Sequence, residues 1–248
     1  MKLAELGMIF VVTVSAASIS FADVEYQKIK TEKNEVDVIK VVQLQDLTLR
    51  LNNPKGHPYY HFLAIQNSLK PCEKMHFAMN AGMYHADFSP VGLYIEDSRQ
   101  QTSLNEKKAF GNFYMQPNGV LAWNNQRAVI QMTKDYKNTN FKAKYATQSG
   151  PMLVIDGKLN SQFVENSNSL KIRNGVGLKN NQLYFLISRD PITFYAFATI
   201  FKDQLKITNA LYLDGSISSA YIPQAQRNDQ VFNLGPIIAY IQPKFGCQ

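Results

Sequence analysis

Residues able to do chemistry gather where apolar runs break. In "NALYLDGSISSAYIP", Asn209 to Pro223, Asp214 ends an apolar run and precedes Gly215, Ser216 and Ser218. A carboxylate there is costly to hold unless something stabilises it, yet Asp-Gly is also an ordinary turn pair. In "KIRNGVGL", Arg173 offers a planar fork that matches two phosphate oxygens, and the neighbouring Gly175 and Gly177 admit close backbone approach. Its other reading is a surface arginine beside a hairpin turn. In "FAMNAGMY", Asn80 can donate to and accept from sugar hydroxyls, or it can cap a turn, and Gly82 lets a backbone come near. In "ATQSGPMLV", Ser149-Gly150 precedes a strand, but a G-x-S-x-G elbow needs glycines where Thr147 and Pro151 stand. Ser149 is therefore read as a hydroxyl or backbone donor to a ligand, or as the close of a loop.

Strands must position these residues. Alternating or β-branched runs mark "VEYQKI", "VDVIKVVQL", "LTLRL", "VGLYI", "GVLAW", "RAVIQM", "PMLVI", "QLYFLIS" and "ALYLD". Turn signals lie at Pro117-Asn118-Gly119, Asp156-Gly157 and Lys179-Asn180-Asn181-Gln182, so "FYMQPNGVLAW" and "PMLVIDGKLN" are expected to be hairpins. Two segments carry helical spacing. "HPYYHFLAIQNSLK" puts Phe62, Ile65 and Leu69 on one stripe, and Thr193 is placed to cap a helix whose Phe194, Phe197, Ile200, Phe201 and Leu205 share a face. The expected fold class is α+β, a mixed, largely antiparallel β-sheet core with a few packed helices. No G-x-G-x-x-G or Walker pattern occurs.

The chain has 248 residues, 45% of them hydrophobic, and no linker or repeat divides it. Residues 1–22 combine Lys2, an apolar centre from Met8 to Val14 and a small-residue exit at Ser20-Phe21-Ala22, the parts of a signal peptide cleaved after Ala22. Residues 23–248 are then one domain, in the periplasm or outside the cell, with no stable membrane insertion. Formal charge is +7, from 26 Lys and Arg against 19 Asp and Glu. Such a surface favours anionic partners, but the lysines are dispersed and no aromatic or arginine-rich block signals nucleic acid. In an oxidising compartment Cys72 and Cys247 can pair, although two cysteines also allow two free thiols. Neither they nor the four histidines have metal-ligand spacing, so no metal or cofactor is expected.

The ordered set "NAGMY", "GNFYMQPNGV", "TQSGPMLV", "RNGVG" and "ALYLDGSIS" resembles the bacterial phosphodiester glycosidase family, from about Met75 to about Ser219. The resemblance implies an exported hydrolase that cleaves between a sugar's anomeric carbon and a phosphodiester oxygen. It implies Asp214 and Arg173 as catalytic residues and Asn80, Gly82, Ser149, Gly150, Gly215 and Ser218 as the substrate pocket. Many members carry two glycines after the aspartate; here Ser216 fills the second place, which bears on the size of the sugar pocket. Asp87 and Glu96 are candidates for a second carboxylate, and His85 for a proton donor. A non-catalytic module for anionic or phosphate-bearing glycans would use the same residues without needing Asp214. A serine-type acyl hydrolase would need Ser149 or Ser218 beside a histidine, and no histidine lies in the latter half of the chain.

Overall fold

The computed structural model describes residues 24–244, so the expected leader and Cys247 lie outside the described residues. Strands are numbered along the chain. The largest sheet holds β1 (Val24–Lys30), β2 (Glu35–Val41), β10 (Met152–Ile155), β11 (Lys158–Leu159), β12 (Asn174–Lys179), β13 (Gln182–Ser188) and β14 (Asn209–Tyr212), in the order β1-β2-β13-β12-β14-β10-β11. A second sheet, β16-β15-β4-β17-β3, is built from β3 (Leu47–Arg50), β4 (Glu73–Asn80), β15 (Ala220–Ile222), β16 (Arg227–Asn228) and β17 (Ile237–Pro243). The third, β6-β5-β9-β7-β8, takes β5 (Tyr94–Glu96), β6 (Arg99–Thr102), β7 (Gly119–Trp123), β8 (Ala128–Met132) and β9 (Tyr145–Ser149). Every pairing within these sheets is antiparallel, so the expected mixture of strand directions is not found and the molecule is mostly β.

The main core lies where the three sheets meet. Ile39, Val176, Phe185 and Leu211 come from the first, Phe77, Met79 and Ile238 from the second, and Tyr94, Leu121 and Trp123 from the third. Three short helices lie outside it: α1 (Phe62–Ser68), α2 (Thr133–Tyr136) and α3 (Phe194–Thr199). α3 begins as expected, with the Thr193 hydroxyl oxygen accepting from the Ala196 N–H at 3.1 Å, and its coil continues through a wider turn over Ile200–Gln204. Its Phe197, Ile200, Phe201 and Leu205 face cover the outer side of the first sheet at Val36, Val38 and Leu186. α1 packs Phe62 and Ile65 on Ala78, Ile237 and Ala239 of the second sheet, and Leu69 falls just past its end.

Two of the expected turns form. Asp156 and Gly157 take φ of 46° and 76° between β10 and β11, and Asn180 and Asn181 take 52° and 60° between β12 and β13. The hairpin expected at Pro117-Asn118-Gly119 does not. Asn118 is used inside a loop, its amide donating to the Phe113 carbonyl at 3.2 Å while its own carbonyl accepts from the Thr133 N–H at 3.0 Å, and Gly119 already belongs to β7. The "NGVGL" glycines are also not a turn: they are the interior of β12. A Cβ at Gly177 would stand 2.8 Å from Ile207 and 2.9 Å from Phe201, so this glycine lets the segment after α3 pack directly on the sheet.

Candidate active site

The first sheet and the second are sewn together where β4, β12 and β14 end, and Asn80 makes the stitch. Its amide nitrogen donates to the Asp214 carbonyl at 2.7 Å, and its oxygen accepts from the Asn174 side chain at 2.8 Å and the Ser219 N–H at 2.9 Å. Backbone bonds run alongside, from the Asp214 N–H to the Ala81 carbonyl at 3.1 Å and from the Leu213 N–H to the Asn174 carbonyl at 3.2 Å. Asn80 is 1% exposed, with its side-chain oxygen and one amide N–H engaged inside the protein. It holds the strand end that carries Asp214.

Arg173 enters β12 next to that stitch and is 1% exposed, which excludes the surface-arginine reading. Its Nε donates to the Ile192 carbonyl at 2.8 Å, one terminal nitrogen to the Tyr212 hydroxyl at 3.3 Å and the other to the Ser169 carbonyl at 2.9 Å. The guanidinium carbon lies 3.6 Å from the centroid of the Phe194 ring. These contacts engage three of the five N–H groups that a guanidinium carries and leave one on each terminal nitrogen. Among the ion pairs of the described residues, none includes Arg173. Burial holds its pKa below the usual arginine value, with the Tyr212 hydroxyl working the other way. A buried cation without a counter-charge is an unfavourable arrangement that a bound anion would relieve.

Asp214 is half-buried and opens a short 3₁₀ turn, Gly215–Ile217, its carboxylate accepting from the Ser216 N–H at 3.2 Å. Burial pushes its carboxyl up to about 6, against the smaller opposing effect of that hydrogen bond. Two tyrosines that sequence reasoning did not single out flank it. Tyr84 and Tyr212 are each pushed up to about 12, mainly by burial, and the charge of Asp214 adds to both. Tyr84 was visible only as the last letter of a quoted motif; its ring covers Gly235, where a Cβ would fall 2.4 Å from it, and its hydroxyl donates to the Asn233 carbonyl at 2.5 Å. A Cβ on Gly215 would stand 1.4 Å from the Tyr212 hydroxyl, so the room left by the missing side chain is occupied by Tyr212.

Above these groups is a cavity of about 420 Å³, with Lys171, Arg173, Tyr212, Gly215, Ser216 and Ser218 in its wall. Ser216 does face this space. The Ser218 hydroxyl lies 3.1 Å from the Ile172 carbonyl and 3.2 Å from that of Gly215, bonds that brace the turn. Asp214 itself, Asn80, Gly82, Ser149 and Gly150 are not in this wall. Gly82 packs on the third sheet, where a Cβ would lie 2.4 Å from the Thr147 hydroxyl, and Gly150 packs on Asn118 at 2.7 Å. Ser149 is fully buried, and its hydroxyl has no hydrogen-bond partner in the described structure.

With Ser218 turned to carbonyls and Ser149 unpartnered, neither serine has the histidine that an acyl hydrolase needs. None of the three auxiliary candidates is hydrogen-bonded to Asp214 among the described residues. His85 and Asp87 are exposed, Asp87 accepting from Ser89, and Glu96 is bonded to Tyr94 in β5, near Tyr145 at the end of β9 remote from Ser149. Among the described residues no group of three His, Cys, Asp or Glu side chains could hold a metal ion. Cys72 is in a disulfide, and the Lys244 N–H, near the end of the described chain, donates to the Cys72 carbonyl at 2.6 Å.

Residues 73–235 match the model of the family described as phosphodiester glycosidase. The chain is 39% identical over 150 residues to the Escherichia coli (strain K12) protein YigE, a stretch that spans 60% of this chain and 59% of YigE. Its fold is similar to the catalytic domain of zebrafish N-acetylglucosamine-1-phosphodiester alpha-N-acetylglucosaminidase, solved auto-inhibited by its pro-peptide. That likeness has a TM-score of 0.58 at 12% identity and covers 90% of this chain and 84% of the other.

Proposed function

The chain belongs to the phosphodiester glycosidase family, and we propose that it hydrolyses sugar 1-phosphodiesters as a single exported domain over residues 23–248. The observation that carries this reading is Arg173: a buried guanidinium with no ion pair among the described residues, in the wall of a cavity that also takes in Gly215 and Ser216, the residues that follow the desolvated Asp214. The bond broken joins the anomeric carbon to a phosphodiester oxygen. Its electron pair leaves with the phosphate, and positive charge builds on the sugar ring. Asp214, ionised above about pH 6, stabilises that charge as the nucleophile or as the base for water. The departing phosphate is already a good leaving group, so cations do more for it than a strong acid would. Arg173, with Lys171 beside it, supplies them. Water places its hydroxyl on the anomeric carbon, and the products are a free sugar and a phosphate monoester. Export rests on the three-part pattern of residues 1–22.

An N-acetylglucosamine 1-phosphodiester is the first substrate to try, because the zebrafish structural relative is named for that bond. Release of reducing sugar, with simple acyl esters left intact, is the expected result. Tight binding of the diester without release would favour a glycan-binding module instead.

A further inference from the structure

Tyr212 brings a phenol hydroxyl to the cavity with its proton unspent. The side chain is buried, belongs to the wall, and has its hydroxyl end between two other wall residues. A terminal nitrogen of Arg173 donates to that oxygen at 3.3 Å, and Gly215 stands so near that a Cβ there would come within 1.4 Å of it. The oxygen thus accepts from the cation, while the hydroxyl's own proton has no acceptor among the described residues. Asp214 does not take it: that carboxylate accepts from the Ser216 N–H and acts on Tyr212 through its charge. Phe194, also in the wall, fixes both donors. Its ring meets that of Tyr212 edge to face at 4.7 Å and carries the Arg173 guanidinium carbon at 3.6 Å. A hydroxyl that accepts from a cation donates more strongly in turn, because linked hydrogen bonds polarise one another.

Resting on the glycosidase reading above, we propose that Tyr212 is a phosphate-binding residue, its hydroxyl donating to a non-bridging oxygen of the phosphodiester beside the N–H groups that Arg173 has left. The hydroxyl and the guanidinium nitrogen, 3.3 Å apart, can meet neighbouring oxygens of one phosphate. Neither proton is transferred. As the anomeric bond breaks, its electron pair stays on the phosphate, and both hydrogen bonds strengthen with the charge that builds there. A neutral donor also adds a contact without a second buried charge. Gly215 is the condition for this arrangement, since a side chain at that place would push the hydroxyl aside.

Two changes separate donating to phosphate from merely holding Arg173. Tyr212→Phe deletes the hydroxyl, whereas a tyrosine fluorinated beside its hydroxyl, placed at the same position, is a stronger donor and a weaker acceptor. Binding of methyl phosphate is measured by titration calorimetry at neutral pH on the unmodified protein and on both variants. Tyr212→Phe should weaken it about tenfold or more, and the fluorinated protein should bind it at least as tightly as the unmodified one. No binding by the unmodified protein, or unchanged affinity in Tyr212→Phe, would overturn the proposal. Weaker binding by the fluorinated protein would do so too, because it would leave Tyr212 only as the acceptor that holds Arg173. Should Tyr212→Phe not fold, the fluorinated protein decides alone: tighter binding supports the proposal, and equal or weaker binding ends it. Turnover of a sugar 1-phosphodiester keeps the two ideas apart. Hydrolysis that is undiminished in Tyr212→Phe leaves the glycosidase reading standing and removes Tyr212 from it. Phosphate binding that depends on Tyr212, in a protein that hydrolyses no such diester, does the reverse.

Discussion

A carboxyl pushed up to about 6 has two consequences at the scale of the residue. If Asp214 works ionised, kcat/KM on a sugar 1-phosphodiester should fall below about pH 6, and that acid limb should vanish in Asp214→Asn. The second concerns stability. The folded-state pKa lies above the ordinary 3.8, so the native state holds the proton more tightly and stability declines as pH rises from 3.8 through about 6. Asp214→Asn removes the buried charge and should melt at the same or a higher temperature at pH 7, while turnover drops at least about a hundredfold. Near-normal turnover, or a large loss of melting temperature, would return Asp214 to a structural role. Arg173→Lys keeps a charge but cannot span the Ile192 and Ser169 carbonyls with a planar fork. Its activity should fall more on a phosphodiester than on a glycoside with a neutral leaving group, and equal losses would assign Arg173 to the fold or the sugar.

At the scale of the element, the turn after β14 is shaped by one missing methyl. Gly215→Ala must displace the Tyr212 hydroxyl and with it the bond from Arg173, so melting temperature and turnover should both fall. Thermal melts and initial rates on one preparation check this. If only stability falls, the link between Tyr212 and the reaction is broken. Thr193 offers a contrast, because it caps α3 next to Ile192, whose carbonyl accepts from Arg173. Thr193→Ala should cost about 1 kcal/mol of stability, read from the denaturant midpoint.

At the scale of the molecule, the first and second sheets are tied by a buried charge. Asp37 in β2 is fully buried and pairs with Arg189 at 2.8 Å and with Arg227, in β16 of the second sheet, at 3.2 Å, while the Tyr26 hydroxyl donates to it at 3.0 Å. Removing one side of such a cluster strands the other, so Asp37→Ala should destabilise by about 3–5 kcal/mol. The folded fraction should keep its turnover. We also propose that Cys247 is the partner of Cys72, which the approach of Lys244 to Cys72 supports. Unfolded, unreduced protein should then show no reactive thiol, and closing so long a loop is worth about 4–5 kcal/mol in the chain-entropy account.

Some of this was decided by the sequence alone. Strands such as "GVLAW", "QLYFLIS" and "ALYLD" formed where their local patterns put them, because β-branched and aromatic runs bounded by turn residues satisfy a pleated sheet whatever lies across from them. Arg173 and Asp214 stood out in the sequence as candidates because few residue types can meet a phosphate or a sugar cation. The tertiary structure decided the rest. "NGVGL" carries turn residues yet became β12, since its glycines make room for Ile207 and Phe201, which only the folded chain brings there. Asn80 became a stitch to Asp214 and Asn174, and Gly82, Ser149 and Gly150 were drawn into packing away from the cavity wall. Tyr212 came to lie between Arg173 and Asp214 only when β14 paired with β12. Motif and propensity act over a few neighbours, whereas a site assembled from strand ends far apart in the chain takes its geometry from how the sheets close.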